Sequence, residues 1–139
     1  MSIPAPSARA AVVGDVMSRQ VLTVETSASL WEAWQVLFSS GRRHLVVLDG
    51  GRGVVGVLSD RNILVDVPAT AEHLGRRKVA DVMAQVPWVF VAPDDSPAHA
   101  ADVMSANHVE AVPVLDDEGG LVGIVTEADI VRWVATPRT

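Results

Sequence analysis

Apolar residues along this chain change spacing in a fixed order, and the order occurs twice. Val21 to Val24 is a short β-favouring run. Ser29 then opens a helix, with Glu32 at the capping-box distance and Leu30, Trp31, Trp34, Leu37 and Phe38 on one predicted face; Gly41 is placed to end it. Leu45 to Leu48 reads as a buried strand, Asp49-Gly50-Gly51 as a turn, and Val54 to Leu58 as a second strand. A helix follows from Asp60 to Val67, where Pro68 stops it. The second pass has a strand at Trp88 to Val91 and a helix opened by Ser96-Pro97 that runs to about Ala106, with Asn107 as its left-handed cap. Strands at Ala111 to Leu115 and Leu121 to Val125 flank Asp117-Glu118-Gly119-Gly120, and Glu127 to Val134 is the last helix.

The two passes are one repeated unit. Asp15-Val16-Met17 returns as Asp81-Val82-Met83, and after a one-residue insertion a constant offset matches Leu48-Asp49 to Leu115-Asp116. The segment Val55 to Leu64 matches Val122 to Val131 with nearly every change conserving size or polarity. The unit is β-α-β-β-α, an α/β (α+β) class. Strands joined by such short turns must be antiparallel neighbours, since a crossover needs more chain. One repeat of this length is marginal alone, so the two are expected to pack face to face with pseudo-two-fold symmetry. The expected boundaries are 12–67 and 79–135, joined by 68–78, with flexible termini at 1–11 and 136–139.

Composition adds a few bounds. The chain has 139 residues, 49% hydrophobic and 20% charged, with no cysteine, so disulfides and thiolate chemistry are excluded. There is no apolar run of membrane-spanning length and no signal core near Met1, which predicts a cytoplasmic protein. The net charge of −6 is uneven: residues 42–78 are net basic and 79–139 strongly acidic. That balance argues against nucleic acid as a partner, while leaving room for one small anion against the basic segment. Arg76, Arg77 and Lys78 read equally well as a solvated loop.

The repeated Asp-Val-Met openings, the Val112-Pro113-Val114-Leu115-Asp116 strand and the closing Gly-apolar-apolar-(Ser/Thr)-x-x-Asp segment together resemble the CBS domain. The pair is similar to a Bateman module over about residues 12 to 135, and to small stand-alone bacterial CBS proteins. That resemblance implies a homodimer with four CBS units in a disc, adenosine ligands such as AMP, ADP, ATP or S-adenosylmethionine in clefts, and regulation of an unidentified effector protein, with no cofactor required. It implies no catalytic residue and no metal. The alternative is a ligand-free homodimeric interaction scaffold.

The resemblance marks Thr126 and Asp129, and their counterparts Ser59 and Asn62, as ligand contacts. Chemistry agrees: a hydroxyl where a strand opens a helix can donate to a phosphate, and a carboxylate one turn on can accept from both ribose hydroxyls. Asn62 lacks the charge for that task. The same spacing is also a helix cap, which needs no ligand. For the adenine, the resemblance implies Val89, Val91, Ala111, Val112, Val24 and Leu45, each of which also reads as core. Arg42, Arg43 and His44 precede the central strand where a phosphate contact is implied; a solvated rim is the other reading. Repeat one carries Val46 where repeat two has Pro113.

Catalytic readings find no support. His44, His73, His99 and His108 show no metal-ligand spacing, and no phosphate loop or nucleophile elbow is present. Trp31 and Trp34 suit helix packing better than stacking, and Trp133 is a candidate for subunit-interface surface.

Overall fold

The computed structural model describes residues 11–65 and 69–136. The order is α1 (Val13–Val16), β1 (Thr23–Glu25), α2 (Leu30–Ser40), β2 (His44–Leu48), a 3-10 turn (Gly50–Arg52), β3 (Val54–Ser59), α3 (Asp60–Leu64), α4 (Ala71–Gly75) and α5 (Val79–Met83). It continues with α6 (Pro97–Asn107), β4 (Ala111–Leu115), β5 (Leu121–Thr126) and α7 (Glu127–Ala135). The fold is mixed α/β with two small sheets. β1 pairs parallel with β2, and β2 antiparallel with β3; β4 pairs antiparallel with β5. Both hairpins carry a bulge at the same repeat position, between Val47 and Leu48 and between Val114 and Leu115.

Two compact units result: Val21–Trp88, and residues 11–20 with 89–136. Each repeat thus gives its leading segment to the unit built mainly from the other. In the first unit Leu30, Leu45, Leu58, Ile63 and Leu74 are fully buried around α2 and the sheet, and Val79 and Val82 of α5 join them. In the second, Val13 of α1 sits in a core with Val91, Val112, Val114 and Val125. Asp15 and Asp81 serve the leading helices locally. Their carboxylates accept from the N–H groups of Val12 and Lys78, each at 2.9 Å, tying the entering chain to the first turn.

Helix ends follow the sequence closely at one terminus and less so at the other. Ser29 and Ser96 cap α2 and α6 by accepting from Glu32 N and His99 N, both at 3.0 Å. Gly41 ends α2 in the left-handed region at φ 71°. In repeat two that position falls one residue beyond the expected Asn107, on His108 at φ 56°. Asn107 stays helical and donates its side-chain N–H to Val103 O at 2.8 Å. A side chain in this region costs about 1 kcal/mol. His108→Gly is therefore expected to raise stability in denaturant melts by about 0.5 kcal/mol net of the looser unfolded chain; a loss of stability would contradict this reading of the cap.

Two further expectations are corrected. The strand at Trp88 to Val91 is absent: only Val91 pairs, in a single bridge with Val114. In the first unit Val46 N donates to Leu22 O at 2.9 Å, extending the β1 ladder. Its counterpart is Pro113, which has no N–H to offer Val89, so the ladder shrinks to the residues around Val91. Phe38 lies about 100° round the helix from Leu37 and is 81% exposed, while the buried face is Leu30, Ala33 and Leu37 with Trp31 and Trp34 at its margin. The connection after repeat one holds α4, capped by Thr70, which accepts from His73 N at 3.2 Å; α4 buries Leu74. The end expected for α3 at Val67 and Pro68, and nearly all of both termini, lie outside the described residues.

Candidate functional site

The end of each hairpin where the last strand turns into a helix carries the polar groups marked by the sequence. In the second unit Ala111 pairs with Thr126 and Val112 with Val125, so the start of β4 lies against the β5–α7 junction. Thr126 Oγ1 accepts from Asp129 N at 3.2 Å, and Asp129 Oδ2 accepts from Thr126 N at 2.9 Å. Asp129 Oδ1 accepts from Arg132 Nη1 at 2.9 Å. Asp129 is only 9% exposed, alone as a charged residue so deeply placed among those described. Its partner Arg132 has a side chain 69% exposed, so solvent weakens that pair.

Each carboxylate oxygen can accept two hydrogen bonds, so Asp129 retains acceptor capacity beyond these bonds. Among the described residues, the Thr126 hydroxyl hydrogen is committed to no acceptor. The junction thus presents a donor hydroxyl beside a fixed, largely desolvated carboxylate.

The first unit closes the same junction on itself. His44 pairs with Ser59 and Leu45 with Leu58. Asn62 Oδ1 accepts from both Ser59 N and Ser59 Oγ, each at 2.8 Å, while Asn62 N donates to Ser59 Oγ at 3.1 Å. Here the hydroxyl hydrogen is spent inside the cap and Asn62 itself carries no charge. Arg43 leans on the start of α3, with Nε 3.5 Å from Asp60 Oδ2, and its carbonyl accepts from Asp60 N at 3.1 Å.

The apolar candidates sit where the sheets need them. Leu45, Val91, Ala111 and Val112 are buried, and Val24 is partly buried against the first core. Val91 lies beside Val114, further along β4 from the Thr126 junction. Among the described residues, no three His, Cys, Asp or Glu side chains gather as a metal site, and no helix is long and apolar enough to cross a membrane. Arg132 was not singled out by the sequence; its position one helical turn beyond Asp129 is the signal that could have found it.

A model of the CBS domain matches residues 13–68 and again 79–136. The chain belongs to the CBS domain family. Its two CBS domains are 31% identical over 122 residues to an L-aspartate semialdehyde sulfurtransferase of Methanocaldococcus jannaschii, covering 87% of this chain and 23% of that protein. The chain spans about a quarter of the length of the first curated relatives it matches. Among solved structures, the CBS domain pair of protein MJ0100 in complex with 5′-methylthioadenosine and S-adenosyl-L-methionine is 29% identical with a TM-score of 0.73, covering 89% of this chain and 95% of that one. CBSX2 in complex with AMP is 27% identical with a TM-score of 0.72, covering 88% and 95%.

Proposed function

We propose that this CBS pair is a regulatory, non-catalytic module that binds an adenosine-containing ligand of the AMP, ADP, ATP or S-adenosylmethionine type and relays its presence to a partner protein. The observation that carries this reading is the Thr126–Asp129 junction, with its uncommitted hydroxyl hydrogen and buried carboxylate. The ligands held by the two solved neighbours share an adenosine, and its ribose diol is what a fixed carboxylate can accept from. Ala111 and Val112 adjoin the junction at the start of β4, where backbone groups can meet an adenine, with Val91 beside Val114 further along that strand. The Ser59–Asn62 junction, with Leu45, Val24 and Arg43, forms a weaker second site because its cap already satisfies the groups a ligand would need.

In this reading the module works as a cytoplasmic homodimer, and ligand shifts it between arrangements only as far as it binds them with different affinity. The competing reading is a scaffold that binds nothing, and the closed first junction favours it for that site alone. Thermal unfolding with AMP, ADP, ATP, S-adenosylmethionine, 5′-methylthioadenosine and a GTP control separates the two. A ligand at about 100 times its Kd stabilises by roughly 2.7 kcal/mol, a shift of several degrees for a chain this size. A selective shift with an adenosine ligand is expected; a flat response across the panel at millimolar ligand would overturn the sensing role.

A further inference from the structure

The inserted residue between the repeats has a structural consequence at the far end of β3. In the second unit the chain leaves α1 extended, and Ser18 bridges the outer edge of β5: Ser18 N donates to Ile124 O at 2.9 Å and Ile124 N to Ser18 O at 3.0 Å. The corresponding connector after α5 is one residue longer. It coils instead, with Ala84 at φ −59°, ψ −21°, Gln85 N donating to Val82 O at 3.0 Å and Val86 N to Met83 O at 3.2 Å. Among the described residues, no bridge forms along the outer edge of β3.

A cavity of about 600 Å³ lies there instead, within the range of small-molecule sites. Val54, Val55, Met83 and the 48% exposed Trp88 give it an apolar, aromatic wall. Its polar end is Thr26, Asp49 and Arg52. Asp49 is engaged there: its Oδ1 accepts from Thr26 Oγ1 at 2.9 Å and its Oδ2 faces Arg52 Nη1 at 3.4 Å. The Arg52 side chain is 80% exposed, and this long contact occupies one of its five N–H groups. The remaining donors form a fork suited to a carboxylate. The Ser59–Asn62 junction is at the opposite end of the strand, about 17 Å away by strand rise.

The geometry points to a second ligand site at this cavity, for a small planar aromatic carboxylate whose ring lies against Trp88 and Met83 and whose acid group takes the free N–H groups of Arg52. It is independent of the adenosine site.

The test uses the full chain and the Trp88 indole N–H signal, assigned with Trp88→Phe, in NMR titrations with indole-3-acetate. Tryptamine, the cationic analogue, is the control. Saturable movement of the Trp88 signal with the acid is expected, with binding to Arg52→Gln weaker by roughly tenfold, the loss of one charge-assisted contact. Ala84→Leu, at an exposed position on the cavity wall, is expected to abolish it while the other indole signals stay in place. Asp129→Asn should leave the titration unchanged. Equal binding of tryptamine, no movement at millimolar acid, or titrations unaltered by both Arg52→Gln and Ala84→Leu would overturn the proposal.

Discussion

Asp129→Asn is expected to weaken adenosine-ligand binding by about 10- to 100-fold while leaving the fold close to its parent stability. The stability half of that expectation comes from the chain itself. Repeat one already carries Asn at this position, and Asn62 Oδ1 accepts from Ser59 N at 2.8 Å as Asp129 Oδ2 accepts from Thr126 N at 2.9 Å. The amide therefore caps as the carboxylate does, and the exposed Arg132 pair contributes at most about 1 kcal/mol. The binding half follows from charge. A hydrogen bond to an ionised acceptor is worth about 1.5–3 kcal/mol, and each 1.4 kcal/mol is a factor of ten in Kd.

The amide that Asp129→Asn introduces can also turn its own N–H groups toward the ligand's hydroxyls, losing the two-fold acceptor a ribose diol uses. The reciprocal change, Asn62→Asp, is expected to strengthen binding at the first junction by supplying the ionised acceptor that a ribose diol uses. Calorimetric titration of both variants beside the parent reads the two effects. An unaltered Kd in Asp129→Asn, with the parent binding well, would place the ligand elsewhere and leave Thr126–Asp129 a cap only.

The repeat made most of this architecture legible. Its constant offset located both hairpins, and the Ser29, Ser96, Ser59 and Thr126 caps stood out because a polar residue at the start of an apolar period has one common use. What stayed hidden depends on partners far along the chain. The missing strand before α6 follows from Pro113, visible in the sequence, but only the β1–β2 register shows which carbonyl loses its donor. The exchange of α1 and α5 between units left no trace, because identical Asp-Val-Met openings read the same in either assignment. α4 is too short to show a helical period, and its buried Leu74 is a lone apolar residue in a polar stretch. At the site, the residue types were readable but their commitments were not: the pattern alone does not show that the Ser59 hydroxyl is used internally and that of Thr126 is not.

Gly123→Ala is expected to cost about 2–4 kcal/mol, the largest stability loss anticipated here for so small a change. Gly123 lies in β5 where the chain leaving α1 crosses the strand edge. A Cβ there would stand 2.6 Å from Met17 Sδ and 2.8 Å from Ser18 O. The thioether can swing away, but the carbonyl oxygen is held by its bond from Ile124 N at 3.0 Å, so backbone must move. Overpacking of this kind costs about 1–3 kcal/mol, and loosening the two Ser18–Ile124 bonds adds roughly 1 kcal/mol each at most. Against a total of about 5–15 kcal/mol, the loss should lower the Tm by roughly 10 °C. Gly51→Ala is the matched control: nothing lies within 4 Å of its added Cβ, and a change within about 0.5 kcal/mol is expected. If the two variants melt alike, the close passage of the α1 connector over β5 is not a feature of the folded protein. A selective loss in Gly123→Ala would establish that the second unit depends on the segment lent by the first repeat, so that the second repeat could not be excised intact without it.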